Sequence, residues 1–226
     1  MRVDLHVHTV YSPDCLTALA DVPLWARRRG LDAVAITDHD AIAGALAIQQ
    51  MTDFPVIVGE EVHTRQGELI GLFIREAIPP GLSARDAAER IHEQGGIVYL
   101  PHPFDGLRGS AMAAEALPEL VDVIDVVEGL NARVMRAADN AQAMAWAERH
   151  GLAVGAGSDA HHVREIGQAF VEMPPFSGAG EFLGALRSAR IGGGRSSSWV
   201  HLYSTWARLS KRFLGAGQGV ASPSNK

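Results

Sequence analysis

The chain has 226 residues, 47% of them hydrophobic, with a formal net charge of −6 and a pI near 5.9. One domain of that size buries a large core, and the acidic balance excludes a protein that grips nucleic acid by bulk electrostatics while leaving room for a basic pocket around one phosphate. The lone cysteine, Cys15, excludes an intramolecular disulfide, and neither a membrane-spanning run nor an apolar signal region is found, so a reducing cytoplasm is the expected location.

Short apolar runs alternate with helix-like segments, the pattern of βα units around a parallel sheet. The first strand is expected at Val3 to Val7, followed by a helix at Val22 to Arg29 that Gly30 stops. A second strand at Asp32 to Thr37 leads to an Ala-rich helix from Ala41 to about Gln50. Strands at Pro55 to Val58 and Leu69 to Ile74 precede a helix capped by Ser83 and ended by Gly95 and Gly96. Then come a strand at Ile97 to Leu100, a segment near Ala111 to Leu120, and a strand at Val123 to Val127. A long helix from about Arg133 to Arg149, a strand at Ala153 to Ala156 and a helix at Glu181 to Arg190 complete the body. Gly192-Gly193-Gly194 with Ser196 to Ser198 predicts a flexible hinge. The domain is therefore expected over 1–191, with 192–226 holding the hinge, a short basic amphipathic segment at Val200 to Leu214 and a disordered tail.

Chemistry-bearing residues gather at strand ends. His6 and His8 close the first strand and share a face, which suits a divalent metal. The second strand ends in Thr37-Asp38-His39-Asp40, and the third runs into Gly59-Glu60-Glu61. Prolines on both sides fix His102, and Gly157-Ser158-Asp159-Ala160-His161 follows the strand at Ala153. Each motif alone has an ordinary structural explanation. Their coincidence at the C-terminal edge of a βα sheet, where such folds put active sites, does not.

These motifs resemble the polymerase and histidinol phosphatase (PHP) domain. The likeness rests on D-L-H-V-H-T (Asp4 to Thr9), Ser12 with Asp14, T-D-H (Thr37 to His39), G-E-E (Gly59 to Glu61), P-H-P (Pro101 to Pro103) and G-S-D-A-H (Gly157 to His161), in family order. The resemblance implies a distorted (β/α)7 barrel holding two or three Mn, Zn or Fe ions and hydrolysing phosphate esters. By position it implies that His6, His8, Glu61 and Asp159 hold a first metal, that Glu61 bridges to a second held by His102, and that Asp14, His39 and His161 hold a third. Some members carry a further His or Cys ligand after the strand near Glu128. This chain has Glu128, Asn131 and Arg133 there, so a weakly held second ion is expected.

The expected reaction is attack of a metal-bound hydroxide on phosphorus in a nucleotide, a short oligonucleotide or a small phosphorylated metabolite, without membrane association. Asp159, His161 and His39 are the expected catalytic residues, and Arg108, Arg133 and Asn131 the substrate-binding ones. Asp4 and Asp38 stand beside ligands as candidate orienting groups. His63, Glu68, His92, His150 and His162 read as structural, and Cys15 as a small packed thiol. Two other readings stay open at this point: an amidohydrolase-like enzyme acting on a C–N bond, and a metal-binding regulatory module.

Overall fold

A computed structural model describes residues 1–196 and 200–215 of the chain. β1 (Arg2–Val7), α1 (Asp21–Arg28), β2 (Ala33–Ile36), α2 (Ala43–Met51) and β3 (Val56–His63) follow the expected βα order. After β4 (Glu68–Leu72), the alternation resumes through α3 (Ala84–Glu93), β5 (Ile97–Leu100), α4 (Leu117–Leu120), β6 (Val126–Asn131), α5 (Ala137–His150) and β7 (Ala153–Gly157). The chain continues into β8 (Ala169–Glu172), α6 (Gly178–Leu186), β9 (Arg190–Gly193) and α7 (Val200–Gly215). No helix among the described residues is long and apolar enough to cross a membrane.

The strands form one sheet in the order β7-β6-β5-β4-β3-β2-β1-β8-β9. Its two arms meet where Val7 of β1 bridges in parallel to Ala160, just past β7, with His8 N donating to Ala160 O at 3.0 Å. β1 to β7 thus curl into a distorted seven-stranded barrel, the fold class expected from the motifs. Val3, Leu5, Ala35, Ile57, Ile70 and Tyr99 fill its interior together with Phe182 of α6. On the outside, α3 lays Ala84, Ala87, Ala88 and Ile91 against Val98 and Leu100.

The sheet departs from a plain βα alternation in three ways. β4 runs antiparallel to both neighbours, yet β1, β2, β3, β5, β6 and β7 still share one direction and one C-terminal edge. β3 and β6 extend past their expected ends, so Glu60, Glu61 and Glu128 lie within strands rather than beyond them. β8 and β9 add an antiparallel flap beside β1 where no strands are expected.

The expected boundary after residue 191 falls inside β9, which carries Gly192 and Gly193 opposite Phe170 and Ala169. Close packing requires glycine there: a Cβ on Gly192 would lie 2.4 Å from the Phe170 ring, and one on Gly193 2.0 Å from Gln168 O. The amphipathic run forms α7, and the tail expected to be disordered lies outside the described residues.

A register shift in β1 between Asp4 and Val7 positions the site. Val3 and Leu5 face the interior, whereas Val7 packs outward with Val22, Val34 and Ile36. The irregularity reverses the alternation and turns His6 and His8 inward, a use of bulges common beside active sites.

Candidate metal centre

β1 supplies His6, the position just past its end supplies His8, β3 supplies Glu61, and the segment after β7 supplies Asp159; all four are wholly buried. His6 Nε2 and His8 Nε2 stand 3.1 Å apart. Glu61 Oε2 lies 3.4 and 3.3 Å from them, and Asp159 Oδ1 3.7 and 3.4 Å. Four donors around a tetrahedral ion with bonds of about 2.0–2.2 Å would sit roughly 3.3–3.6 Å apart, close to the spacing found here.

Hydrogen bonding shows which imidazole atoms face this centre unclaimed. Ser12 Oγ donates to Asp38 Oδ1 at 2.6 Å and therefore accepts from His8 Nδ1 at 3.0 Å. His6 Nδ1 donates to Glu128 Oε1 at 3.1 Å. Both Nε2 atoms are thus left to bind a cation, either a proton or a metal ion. Burial pushes His6 down, but Glu61, Asp159 and Glu128 outweigh it and hold that imidazole well above its ordinary value. Burial opposes His8 likewise, yet Asp159 and Glu61 lift it to about 9.

Two further donor sets adjoin the first. His102 Nε2 lies 3.1 Å from Glu61 Oε1 and 3.6 Å from Glu68 Oε2, so Glu61 offers one oxygen to each neighbouring set. Glu68 opens β4, shares the interior face with Ile70 and Leu72, and is buried. On the other side, His161 Nδ1 donates to Asp159 O at 2.9 Å, and its Nε2 faces Asp14 Oδ1 at 3.2 Å. Burial, with His8 and Arg133 nearby, lowers His161 to about 3, so its neutral ring turns a lone pair toward that carboxylate. His39 bridges the sets, with Nε2 3.8 Å from Asp14 Oδ1 and Nδ1 3.2 Å from Glu61 Oε2.

The inner oxygens test whether these residues suit a metal. Oε2 of Glu61, Oε2 of Glu68, Oδ1 of Asp14 and Oδ1 of Asp159 are buried without a hydrogen-bond donor. Each faces an imidazole nitrogen, a costly arrangement that a divalent cation satisfies. The donor set therefore fits bound metal ions.

A second layer fixes these side chains. Glu128 bonds His6 Nδ1 with one oxygen and accepts from His102 N at 2.9 Å with the other. Asp38 accepts from Thr9 N and Thr9 Oγ1, each at 2.6 Å, as well as from Ser12. Asp4 accepts from Ser158 N at 2.8 Å and Ser158 Oγ at 2.5 Å, anchoring the approach to Asp159. His102 and Asp159 themselves adopt positive φ, +29° and +53°, backbone strain concentrated at the site.

A cavity of about 590 Å³ opens beside the centre, lined by Asp14, His39, Glu68, Arg108, Arg133 and His161, and by Ser204, Thr205 and Arg208 of α7. Arg108 Nη2 donates to Asp159 Oδ2 at 2.6 Å, and Arg133 donates to Ser204 Oγ.

The structure brings together all eight metal-site residues expected from the sequence: His6, His8, Asp14, His39, Glu61, His102, Asp159 and His161. Arg108 and Arg133 line the cavity. Asn131 does not line it. Its amide nitrogen donates to Glu128 Oε2 at 2.9 Å and Asp159 Oδ2 at 3.2 Å, and its Oδ1 accepts from Arg133 N at 2.8 Å. Glu68 and Arg208 join the site without having been expected there. His92 bonds Asp125 and His150 packs on Trp146, both away from the centre. Cys15 is buried, and burial pushes its thiol up to about 12, a packed group rather than a nucleophile.

The sequence pattern of the PHP domain family matches residues 4–95, and that of the PHP-associated region matches 137–191. The uncharacterized protein MJ0417 of Methanocaldococcus jannaschii is 35% identical over 176 residues, spanning 76% of this chain and 70% of the relative. A two-domain Bacteroides vulgatus protein containing a predicted PHP-like metal-dependent phosphoesterase superposes with a TM-score of 0.70 at 20% identity. That match covers 86% of this chain, which spans only 65% of the length of the Bacteroides protein. An amidohydrolase from Chromobacterium violaceum, with bound sulfate and no metal, superposes with a TM-score of 0.60 at 19% identity over 76% of this chain and 92% of that one.

Proposed function

The chain belongs to the PHP family, and on that premise we propose that it is a cytoplasmic metal-dependent phosphoesterase acting on a nucleotide, a short oligonucleotide or a small phosphorylated metabolite. In this reading His6, His8, Glu61 and Asp159 hold one divalent ion, and Asp14, His39 and His161 hold another. Glu61, His102 and Glu68 would hold a further ion. Glu68 would supply a third protein donor there, at the position where the missing His or Cys leads the sequence to predict a weakly held ion. Manganese, zinc or iron suits such mixed imidazole and carboxylate donors.

When bound, these ions lower the pKa of water and neutralise charge on phosphoryl oxygens. The chain's own residues do the rest. Ser12 and Glu128 fix the tautomers of His8 and His6, and Asp4 holds the segment that carries Asp159. Arg108 and Arg133 line the cavity with guanidinium groups suited to phosphoryl oxygens. His39 and His161, together with His63, line the same cavity.

The observation that carries the proposal is the set of four donorless buried carboxylate oxygens facing imidazoles, beside a guanidinium-lined cavity. The test is elemental analysis of protein made in manganese- or zinc-supplemented medium, with assays on phosphomonoesters, phosphodiesters and amides. Two or more ions per chain with phosphoester hydrolysis are expected. Fewer than one ion after reconstitution, or cleavage of amides alone, overturns the reading.

A further inference from the structure

We propose that α7 forms the substrate-recognition wall of the metal pocket and that Arg208 binds an oxygen of the substrate's phosphate, an inference that rests on the phosphoesterase reading above. The matched family patterns end at residue 191, whereas α7 begins at Val200. This wall therefore belongs to the part of the chain that the family patterns leave unspecified.

α7 is fastened across the pocket by contacts of several kinds. Lys211 Nζ donates to Val10 O and Ser12 O, both at 2.6 Å, pinning the helix to the segment after β1 that carries Asp14. Arg133 donates to Ser204 Oγ, and the Tyr203 ring meets His162 edge-on with centroids 4.5 Å apart. Ser204 and Ala207 are buried, whereas Trp206 and Leu209 are exposed. The face holding Ser204 and Arg208, one helical turn apart, is accordingly the one that meets the site.

Arg208 Nη2 donates to Asp14 Oδ2 at 3.0 Å, while Oδ1 of the same carboxylate faces His161. Arg108 repeats the relationship on Asp159, donating to Oδ2 at 2.6 Å while Oδ1 faces His8. Two guanidinium groups from separate segments thus rest on the outer oxygens of carboxylates whose inner oxygens face the histidines, and both line the cavity. Arg208 remains 64% exposed, and a guanidinium has five N–H donors in a fixed fork. A tetrahedral phosphate whose inner oxygens turn toward the donor cluster presents its outer oxygens to these two forks.

The test is titration of the manganese-loaded full chain with inorganic phosphate, alongside manganese content and steady-state kinetics on the best phosphomonoester. Arg208→Ala should weaken phosphate binding about tenfold or more and raise KM in proportion, with kcat and metal content close to wild type. Arg208→Lys, which keeps the charge but loses the fork, should fall between the two. Trp206→Ala, on the exposed face, should change none of these values. Unchanged phosphate affinity in Arg208→Ala overturns the proposal. So does loss of a metal ion from that variant, which would make Arg208 a positioning partner of Asp14. A wild-type chain that binds phosphate but hydrolyses no phosphoester overturns the proposed reaction and leaves Arg208 judged by the titration alone. A wild-type chain that binds no phosphate overturns both.

Discussion

Glu128 Oε1 stands 3.1 Å from His6 Nδ1, and Oε2 of the same carboxylate accepts from the backbone N–H of His102 at 2.9 Å. One side chain thereby orients histidines of two donor sets while staying behind both. Glu128→Gln keeps the volume but accepts through one oxygen only, so manganese affinity should fall roughly 10–100-fold with the fold retained. Calorimetric titration of the demetallated protein reads this directly. An unchanged affinity would mean that His6 takes its orientation from packing alone.

The three glutamates around β3 and β4 should behave differently. Glu61 faces two donor sets, so Glu61→Ala should lose more than one ion and nearly all hydrolysis. Glu68→Ala should lose one ion and keep the others. Glu60 points the other way and accepts from Ile78 N at 2.7 Å, so Glu60→Ala should keep the full metal complement. Elemental analysis of the three variants checks the order, and equal loss at Glu60 would reverse the assignment.

Metal uptake should depend on pH through the His6–His8 pair. His8 is lifted to about 9, so it holds a proton at neutral pH in the metal-free protein. That proton stabilises the fold fully below the ordinary histidine value of about 6.5, and the contribution is lost as pH rises toward 9. Metal-free protein should therefore melt at a lower temperature at pH 9 than at pH 6.5. An incoming ion must displace the proton, so manganese affinity should climb across the same interval, by up to about tenfold per pH unit for each proton released. Thermal melts and titrations at both pH values test the sign, and a flat profile would contradict it.

Gly157 ends β7 against the ligand strand. A Cβ there would lie 2.3 Å from His6 Cβ and 2.7 Å from Glu128 Oε1. Gly157→Ala should destabilise the protein by roughly 1–3 kcal/mol and displace His6. Denaturation with and without manganese should show a larger deficit in the metal-loaded state, because the strain falls on a ligand.

What the sequence made legible was local. His6 and His8 lie two apart at a strand end, and Pro101 and Pro103 bracket His102, so the chemistry of each motif is visible within a few residues. Glu68 was hidden by topology: it opens an antiparallel strand, whose first residue emerges at the edge where parallel strands end. The role of Glu128 behind His6 and His102 was hidden by length, because β6 continues to Asn131 and carries that carboxylate into the interior. β8 and β9 are short flap strands whose glycines resemble hinge composition until Phe170 packs against Gly192. The contact between Arg208 and Asp14 joins residues 194 positions apart, a separation at which no spacing rule operates.

The tight return from β3 to β4 has a consequence for how this centre can diverge. Residues 64–67 join His63 to Glu68, which pair directly across the hairpin, as Glu61 pairs with Ile70. Strand side chains alternate faces, so slipping β4 by one position against β3 would swing Glu68 outward and bring a neighbour inward. A single-residue insertion or deletion in that short turn can thereby remove a carboxylate from the centre with every ligand codon left intact. Among homologues, metal number should track the length of this turn, and a sequence comparison confined to ligand identities would overlook the change.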